Sequence, residues 1–431
     1  MVVLIAREDY SAIEPALQAE IDNYIRLAEH APFYRTKLGN RKITTETFYN
    51  VPLTYDHELM DDYEDFVACP DRVVQVSVSG GTYGKRKFIF RTREDIEKSV
   101  AVAAEMFLAC GVKRGDKVAI LQPFDLWNIG HIALRALQEI GALSCPLGLS
   151  ATDEDVLQFL RDLECNVIYA TPSRALRLAE LSQQKGCGRD IRVTKALCAG
   201  EPISPAHREV LRDFWNAEIY GIYGSEETDG LAAECKVHRG YHLFDNSLIL
   251  EILDPQSLQP AEKNSGVSVV TKLGYTGTVL IRYLLGDIVE IETEPCPCGL
   301  SSPRITVHGR MKETLWLYDG VKLPLTSVED AIRAVLGYLP VYQIVREGTA
   351  GRDNLLVIII SRQRAAGLEK QIEKALIDST QEIHEAFNFE RNLNVKVKIY
   401  SDSSLLFRSS RGKIPRVVDR RSKARGQGPG R

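Results

Sequence analysis

Two registers of hydrophobic spacing divide the chain. From Thr92 to Trp215, stretches of helical spacing alternate with short apolar runs. Asp95–Cys110 reads as a helix stopped by Gly111, Lys117–Gln122 (KVAILQ) as a buried strand, Trp127–Ile140 as a helix stopped by Gly141, and Ala142–Pro146 as a strand. Thr152 with Asp155 has the spacing of a capping box and opens a helix through Leu163. The strand NVIYA, a helix over Arg174–Gln184, a strand over Lys195–Cys198 and a helix over Pro205–Trp215 follow. This alternation predicts an α/β fold with a parallel sheet covered on both faces, and such sheets bind ligands beyond the carboxyl ends of their strands.

After Gly230 the helical spacing stops. LILEIL, VSVVTK and TVLIRYLLGDIVEIE read as strands of an antiparallel β subdomain. Asp319-Gly320 is a hairpin turn between two short β runs. From Thr326 a helix, strands Tyr342–Arg346 and Leu355–Ser361, one long helix Leu368–Phe387 and a strand Val395–Tyr400 predict a small α+β domain. The expected division is a large domain over 1–309, with its β subdomain at about 231–308, and a small domain over 310–431 ending in a basic tail. Residues 1–75, with a helix near Ala16–Glu29, show no chemistry of their own.

Composition is that of a globular chain of 431 residues, 44% hydrophobic and 26% charged, with no apolar run long enough to cross a membrane. The opening MVVLIAREDYS lacks the basic-then-apolar order of a secretory leader, so a cytoplasmic location is expected. The net charge of -4 conceals a tail, Phe407–Arg431, with nine Lys/Arg against one Asp. Such a tail reads as a solvated end, and neither nucleic acid nor a membrane is expected as partner. Nine cysteines in a chain of this kind argue against a disulfide framework. Cys69, Cys110, Cys145, Cys165, Cys187 and Cys198 sit singly and read as small core residues.

Candidate chemistry begins at VSVSGGTYGKRK, Val76–Lys87. Its glycines free backbone N–H groups to face an anion, Ser79 and Thr82 add donors, and Lys85, Arg86 and Lys87 add charge. The Walker spacing fails, because Ser79 stands where its first glycine belongs and Arg86 where its Mg²⁺-binding hydroxyl belongs. Further loops fall at the predicted carboxyl ends of strands: Thr171-Pro172-Ser173, Ala199-Gly200-Glu201-Pro202 and Tyr223-Gly224-Ser225-Glu226-Glu227. Arg282, Tyr283, Gly286 and Asp287 end a strand, Gly309-Arg310 reads as a hinge, and Gly412-Lys413 comes late. Cys235, His238, His242, Cys296 and Cys298 are thiols and imidazoles of the kind zinc prefers; Cys296 and Cys298, one residue apart, cannot easily bond to each other but can share a metal.

Taken in order, these motifs, with GEP at 200–202, CPCG at 296–299 and GKIPRVVDRR at 412–421, resemble the phenylacetate-CoA ligase branch of the adenylate-forming superfamily, from about residue 76 to 421. The resemblance implies that fold, with a mobile small domain, and a ligase that joins an aromatic carboxylic acid to AMP with release of pyrophosphate and passes the acyl group to coenzyme A. It implies ATP, Mg²⁺, coenzyme A and structural Zn²⁺ as cofactors, and a homodimer as a possible assembly. Ser79, Gly80, Gly81, Thr82, Gly84 and Lys85 match the phosphate loop, Glu227 the residue that positions Mg²⁺, Tyr223 the adenine contact and Asp287 the ribose contact. Gly200, Glu201, Pro202, Gly224, Ser225 and Glu226 match neighbouring nucleotide-binding positions, Arg310 a catalytic position, and Lys312 the hinge. Lys413 matches the lysine that bridges the carboxylate and the α-phosphate, where a point cation offsets crowded negative charge.

The resemblance also points to Cys235, His242, Cys296 and Cys298 as a structural metal site, with His238 as substitute ligand. An acyl pocket is expected at Trp127, Ile129, His131, Ala170, Cys198, Ala199, Gly200 and Tyr223, with His131 preferred as a satisfied core histidine over one that meets a substrate polar group. Departures are Gly80, Tyr83 and Arg86 in the loop, Glu226 where a hydroxyl residue is common, and Lys312-Glu313 after Arg310. They leave open two alternatives: transfer to a carrier protein or an amine, and an inactive relative that acts as a scaffold.

Overall fold

The computed structural model describes residues 3–5, 15–39, 45–79, 86–203, 205–244, 247–255, 257–261, 264–292, 294–311, 314–317, 322–349, 352–361, 363, 365–379, 381–389, 391–408 and 414–420. They form two compact units. The first comprises Met1–Thr171, Asp190–Gly200 and Glu218–Met311, the second Pro172–Arg189, Glu201–Ala217 and Lys312–Arg431. The second unit thus takes in two segments, 172–189 and 201–217, that lie within the stretch expected to form the large domain.

The first unit is built on one twelve-stranded sheet. Leu143–Pro146, Lys117–Ile120, Val167–Ala170, Lys195–Ala199 and Glu218–Ser225 lie side by side and parallel in that order. Val118, Ala119, Ile120, Val167, Ile168 and Ala170 are fully buried, as the continuous apolar runs of a doubly covered sheet require. Thr92 caps the helix Arg93–Ala109 reciprocally: its hydroxyl accepts from Asp95 N at 3.3 Å and its own N–H donates to Asp95 Oδ2 at 2.9 Å. Gly141, at φ 79°, ends the helix Ile129–Ile140 in the left-handed conformation that glycine adopts without strain.

The antiparallel strands do not form a separate sheet. Asp229–Ala233 turns back on Glu218–Ser225, and Tyr241–Leu243, Arg304–Arg310, Tyr283–Glu292, Ser265–Lys272 and Leu248–Leu253 extend the same sheet. Gly224 makes this turn possible, because a Cβ there would lie 2.1 Å from the Asp229 carbonyl oxygen. The expected single strand over 278–292 is shorter, beginning at Tyr283. Arg282, at φ 47°, interrupts it. Its buried guanidinium donates to Glu251 Oε1 from Nη2 at 2.8 Å and to the Val51 carbonyl at 2.6 Å, which pins the N-terminal segment to the sheet.

In the second unit a four-stranded sheet runs Leu393–Tyr400, Arg352–Ile360, Val341–Thr349, Val417–Asp419. The expected long helix is two, Leu368–Ile377 and Gln381–Asn388. The first stops at Asp378, whose N–H turns back to Lys374 O and whose carboxylate meets His384 Nδ1 at 3.1 Å. The helices Pro172–Gln184 and Pro205–Trp215 pack together, with Trp215 Nε1 donating to Ser182 Oγ at 2.9 Å. The Asp319-Gly320 turn lies outside the described residues.

Candidate active site

Ser79, at the end of the strand Val73–Ser79, donates to Glu227 Oε1 at 2.8 Å. Glu227 is also paired with Lys87, the first residue of the returning strand Lys87–Thr92. Lys87 makes a second ion pair with Asp56, and Tyr283 donates its hydroxyl to the same Asp56 oxygen at 2.9 Å. Residues 1–75 therefore do contribute to the site, through Asp56.

Burial alone would raise the Glu227 carboxyl, but Lys87 and the Ser79 hydroxyl outweigh it and hold the group below its ordinary value. Burial likewise opposes the charge on Lys87, while Glu227 and Asp56 hold its pKa above the usual lysine value. A carboxylate kept ionised in this way has the hard oxygen donors that Mg²⁺ takes.

Glu226 faces a different partner. Its Oε1 accepts from Asn128 N at 3.1 Å and lies 3.5 Å from Arg91 Nη2, and burial raises its pKa. Arg91 is 2% exposed and binds Asp229 Oδ1 at 2.7 Å and the Glu226 carbonyl at 2.6 Å, while Ser99 donates to Asp229 Oδ2 at 2.6 Å. The two adjacent carboxylates are thus held apart, Glu226 toward Arg91 and Glu227 toward Lys87.

Tyr223 donates to Asp287 Oδ2 at 2.7 Å, and Arg310 Nε sits 3.1 Å from Asp287 Oδ1. Burial and then Asp287 raise the Tyr223 phenol well above its ordinary value, so it remains a neutral donor. Ser225 Oγ lies 2.9 Å from Thr228 Oγ1 and braces the turn. Ala170 pairs in register with Cys198, and both are buried with Ala199 at the carboxyl ends of the parallel strands. His131 is exposed rather than in the core, and its Nε2 is 2.6 Å from the Phe124 carbonyl. Trp127 is half-buried, just ahead of the helix Ile129–Ile140.

Glu201 meets protein donors through both carboxylate oxygens. Its Oε2 accepts from Ser173 N at 3.1 Å and from the Ser173 hydroxyl, and its Oε1 accepts from Ile414 N at 2.7 Å. Gly200, at φ 86°, precedes it, and Pro202 is exposed. Gly80, Gly81, Thr82, Gly84, Lys85, Lys312 and Lys413 lie outside the described residues.

Sequence reading passed over Arg91, Asp56 and Asp229, and took Lys87 only as added charge beside the Gly-rich loop. A signal was present for two of them: on a strand, Lys87, Ile89 and Arg91 share one face, and Ile89 is core.

Apart from these groups, the side-chain donors of Cys235, His242, Cys296 and Cys298 all lie within 4.8 Å of one another. Cys235 Sγ and Cys296 Sγ are 3.7 Å apart, too far for a disulfide, and Cys298 Sγ is 3.4 Å from His242 Nε2. At ordinary bond lengths a tetrahedral zinc holds two sulfurs roughly 3.8 Å apart, and a sulfur and a nitrogen about 3.5 Å apart. The four donors fit that metal. His242 Nδ1 is 3.1 Å from both the carbonyl and the hydroxyl of Ser302, which orients the ring from its far side. His238, the expected substitute, is instead 3.5 Å from Glu234 through Nδ1 and packs on the Tyr220 ring at 4.7 Å.

No protein-family profile matches the chain. It is 27% identical to the phenylacetate-coenzyme A ligase of Thermus thermophilus over 415 residues, 91% of this chain and 93% of the relative. The enzyme of the same name from Pseudomonas putida is 24% identical over 91% of this chain and 90% of its own. Among solved structures, a 2-hydroxyisobutyryl-CoA ligase in complex with 2-HIB-AMP superposes with a TM-score of 0.75 at 22% identity, over 95% of this chain and 90% of that one. An anthranilate CoA ligase in complex with anthranoyl-AMP gives 0.55 at 14% identity, over 79% and 66%. The fold is that of adenylate-forming CoA ligases.

Proposed function

We propose, for a chain related over nine-tenths of its length to phenylacetate-coenzyme A ligases, that it activates an aromatic carboxylic acid with ATP and transfers the acyl group to coenzyme A. The observation that carries this reading is the Ser79–Glu227 hydrogen bond of 2.8 Å, which joins the Gly-rich loop to the Tyr-Gly-x-x-Glu loop across 148 residues.

Attack of a carboxylate on the α-phosphate brings two anions together, so the chain must hold cations and donors where charge accumulates. Glu227 would hold Mg²⁺, which would supply positive charge to the phosphates. Lys87 keeps Glu227 ionised and is itself kept charged by Asp56. Asp287 receives the ribose hydroxyls and Tyr223 lies against the adenine, while Arg310 limits the repulsion between Asp287 and the phosphates. Lys413 supplies the point charge between carboxylate and α-phosphate. Ala170, Cys198, Ala199 and Gly200, small side chains beside the Tyr223 ring, leave room for a flat acyl group. Cys235, His242, Cys296 and Cys298 hold a structural zinc, supported by their spacing and by the Ser302 contact to His242.

The test is to incubate the purified chain with ATP, Mg²⁺ and a panel of aryl acids, with and without coenzyme A, and to follow AMP and acyl-CoA by mass spectrometry. Acyl-CoA that forms only with both the acid and coenzyme A supports the reading. Acid-dependent AMP with no acyl-CoA would move the acceptor to a carrier protein or an amine.

A further inference from the structure

We propose that Glu201 is a positioning residue: it clasps the backbone beside Lys413 and thereby promotes the first half-reaction, adenylation, without serving the second. This rests on the function proposed above.

The described segments on either side of Lys413 are held by Gln343, a fully buried amide on the strand Val341–Thr349. Gln343 Nε2 donates to the carbonyls of Phe407 and Pro415, each at 2.9 Å, and Gln343 Oε1 accepts from Phe407 N at 2.8 Å. Ile344 N adds a bond to Arg416 O at 2.7 Å. One side chain therefore grips the chain where it leaves the small-domain sheet and where it returns. All the side-chain amide's donors and its acceptor are used, as a buried amide requires.

Glu201 holds the described residue that follows Lys413. Ile414, the next residue in the sequence, gives its backbone N–H to Glu201 Oε1 at 2.7 Å. The other carboxylate oxygen is anchored to Ser173, by the backbone N–H at 3.1 Å and by the hydroxyl. Ser173 is 1% exposed and lies in the first turn of the thirteen-residue helix Pro172–Gln184, where free N–H groups and the helix dipole favour a carboxylate. Glu201 is thus a bridge with one end on the helix and the other on the backbone of Ile414. Both of its oxygens are engaged by protein donors.

The two half-reactions make unequal demands on that bridge. Adenylation joins two anions and needs the Lys413 charge at a fixed place, so a small displacement of the loop is felt in the rate. Thioester formation begins from an uncharged acyl carbon and a thiol, with AMP as leaving group, and the crowding of negative charge is less. Loosening Glu201 should slow the first step and leave the second.

Glu201→Ala tests this in two assays: carboxylate-dependent ATP–pyrophosphate exchange, and acyl-CoA formation from preformed acyl-adenylate. A charge-assisted backbone hydrogen bond is lost, so the exchange kcat should fall about tenfold or more. The KM for ATP and the rate from preformed adenylate should stay within about twofold of wild type. Glu201→Gln, which keeps one acceptor, should fall between, and it carries the same comparison if the alanine variant does not fold. Equal loss in both assays overturns the proposal, as does a raised KM for ATP at unchanged kcat, which would make Glu201 a nucleotide ligand. A wild-type protein without exchange overturns the underlying function and the clasp with it, whereas wild-type exchange with equal loss in the variant overturns the clasp alone.

Discussion

Tyr223 and Asp287, 64 residues apart, share a hydrogen bond of 2.7 Å in which the phenol donates to Oδ2. Arg310 takes the other Asp287 oxygen at 3.1 Å. The residue expected against the adenine and the residue expected on the ribose are therefore one coupled pair, and Asp287 is fixed from both sides before any nucleotide arrives. Removing the phenol leaves a 6%-exposed carboxylate with one partner fewer. Tyr223→Phe should raise the KM for ATP roughly tenfold, the equivalent of about 1.4 kcal/mol, with kcat little changed. Steady-state kinetics with ATP varied measures this, and an unaltered KM would separate Tyr223 from nucleotide binding.

Lys87 controls the acid response of the site. Glu227 is held below its ordinary value, so its pairing stabilises the chain above the usual carboxylate range and is lost as pH falls through the lowered value. Lys87 is held above its ordinary value, so its contribution is complete below about pH 10 and is lost as pH rises through the raised value. In Lys87→Met, burial becomes the leading influence on Glu227, whose pKa then rises above the ordinary range. That variant should gain stability between pH 7 and pH 5, where wild type does not. Urea midpoints at the two pH values decide it; parallel behaviour of the two proteins would mean that Lys87 does not set the Glu227 charge.

Zinc content discriminates between the two histidines. His242→Ala or Cys296→Ser should lose the metal and lower the melting temperature, because a structural zinc contributes to folding directly. His238→Ala should keep about one zinc per chain, since His238 faces Glu234 and Tyr220. Elemental analysis of the three variants is the measurement, and zinc retained in both His242→Ala and Cys296→Ser would remove the site.

The parallel half of the fold was legible because buried parallel strands are short apolar runs and their helices end at glycines such as Gly141. The antiparallel half was legible as strands but not as part of the same sheet, since the joining turn rests on the close approach of Gly224 to Asp229, a contact without a periodic signal. Lys87 was read only as added charge beside the Gly-rich loop and Arg91 was not singled out, yet strand alternation places both with Ile89 on the inward face. Asp56 had no local signal at all: its role depends on a partner 31 residues away. Glu201 was recognised by its Gly-Glu-Pro setting and expected on the nucleotide. Its contact with Ile414 spans 213 residues, a relationship only the folded chain reveals.

Isotope exchange between pyrophosphate and ATP tests adenylation of a carboxylic acid by this chain without any acceptor present. Wild-type protein with Mg²⁺ should exchange label only when an aryl acid is added, and Lys413→Ala should reduce that exchange by at least about a hundredfold, the scale lost when a transition-state charge partner is removed. Absence of acid-dependent exchange in the wild type across the panel, or full exchange in Lys413→Ala, would contradict the account.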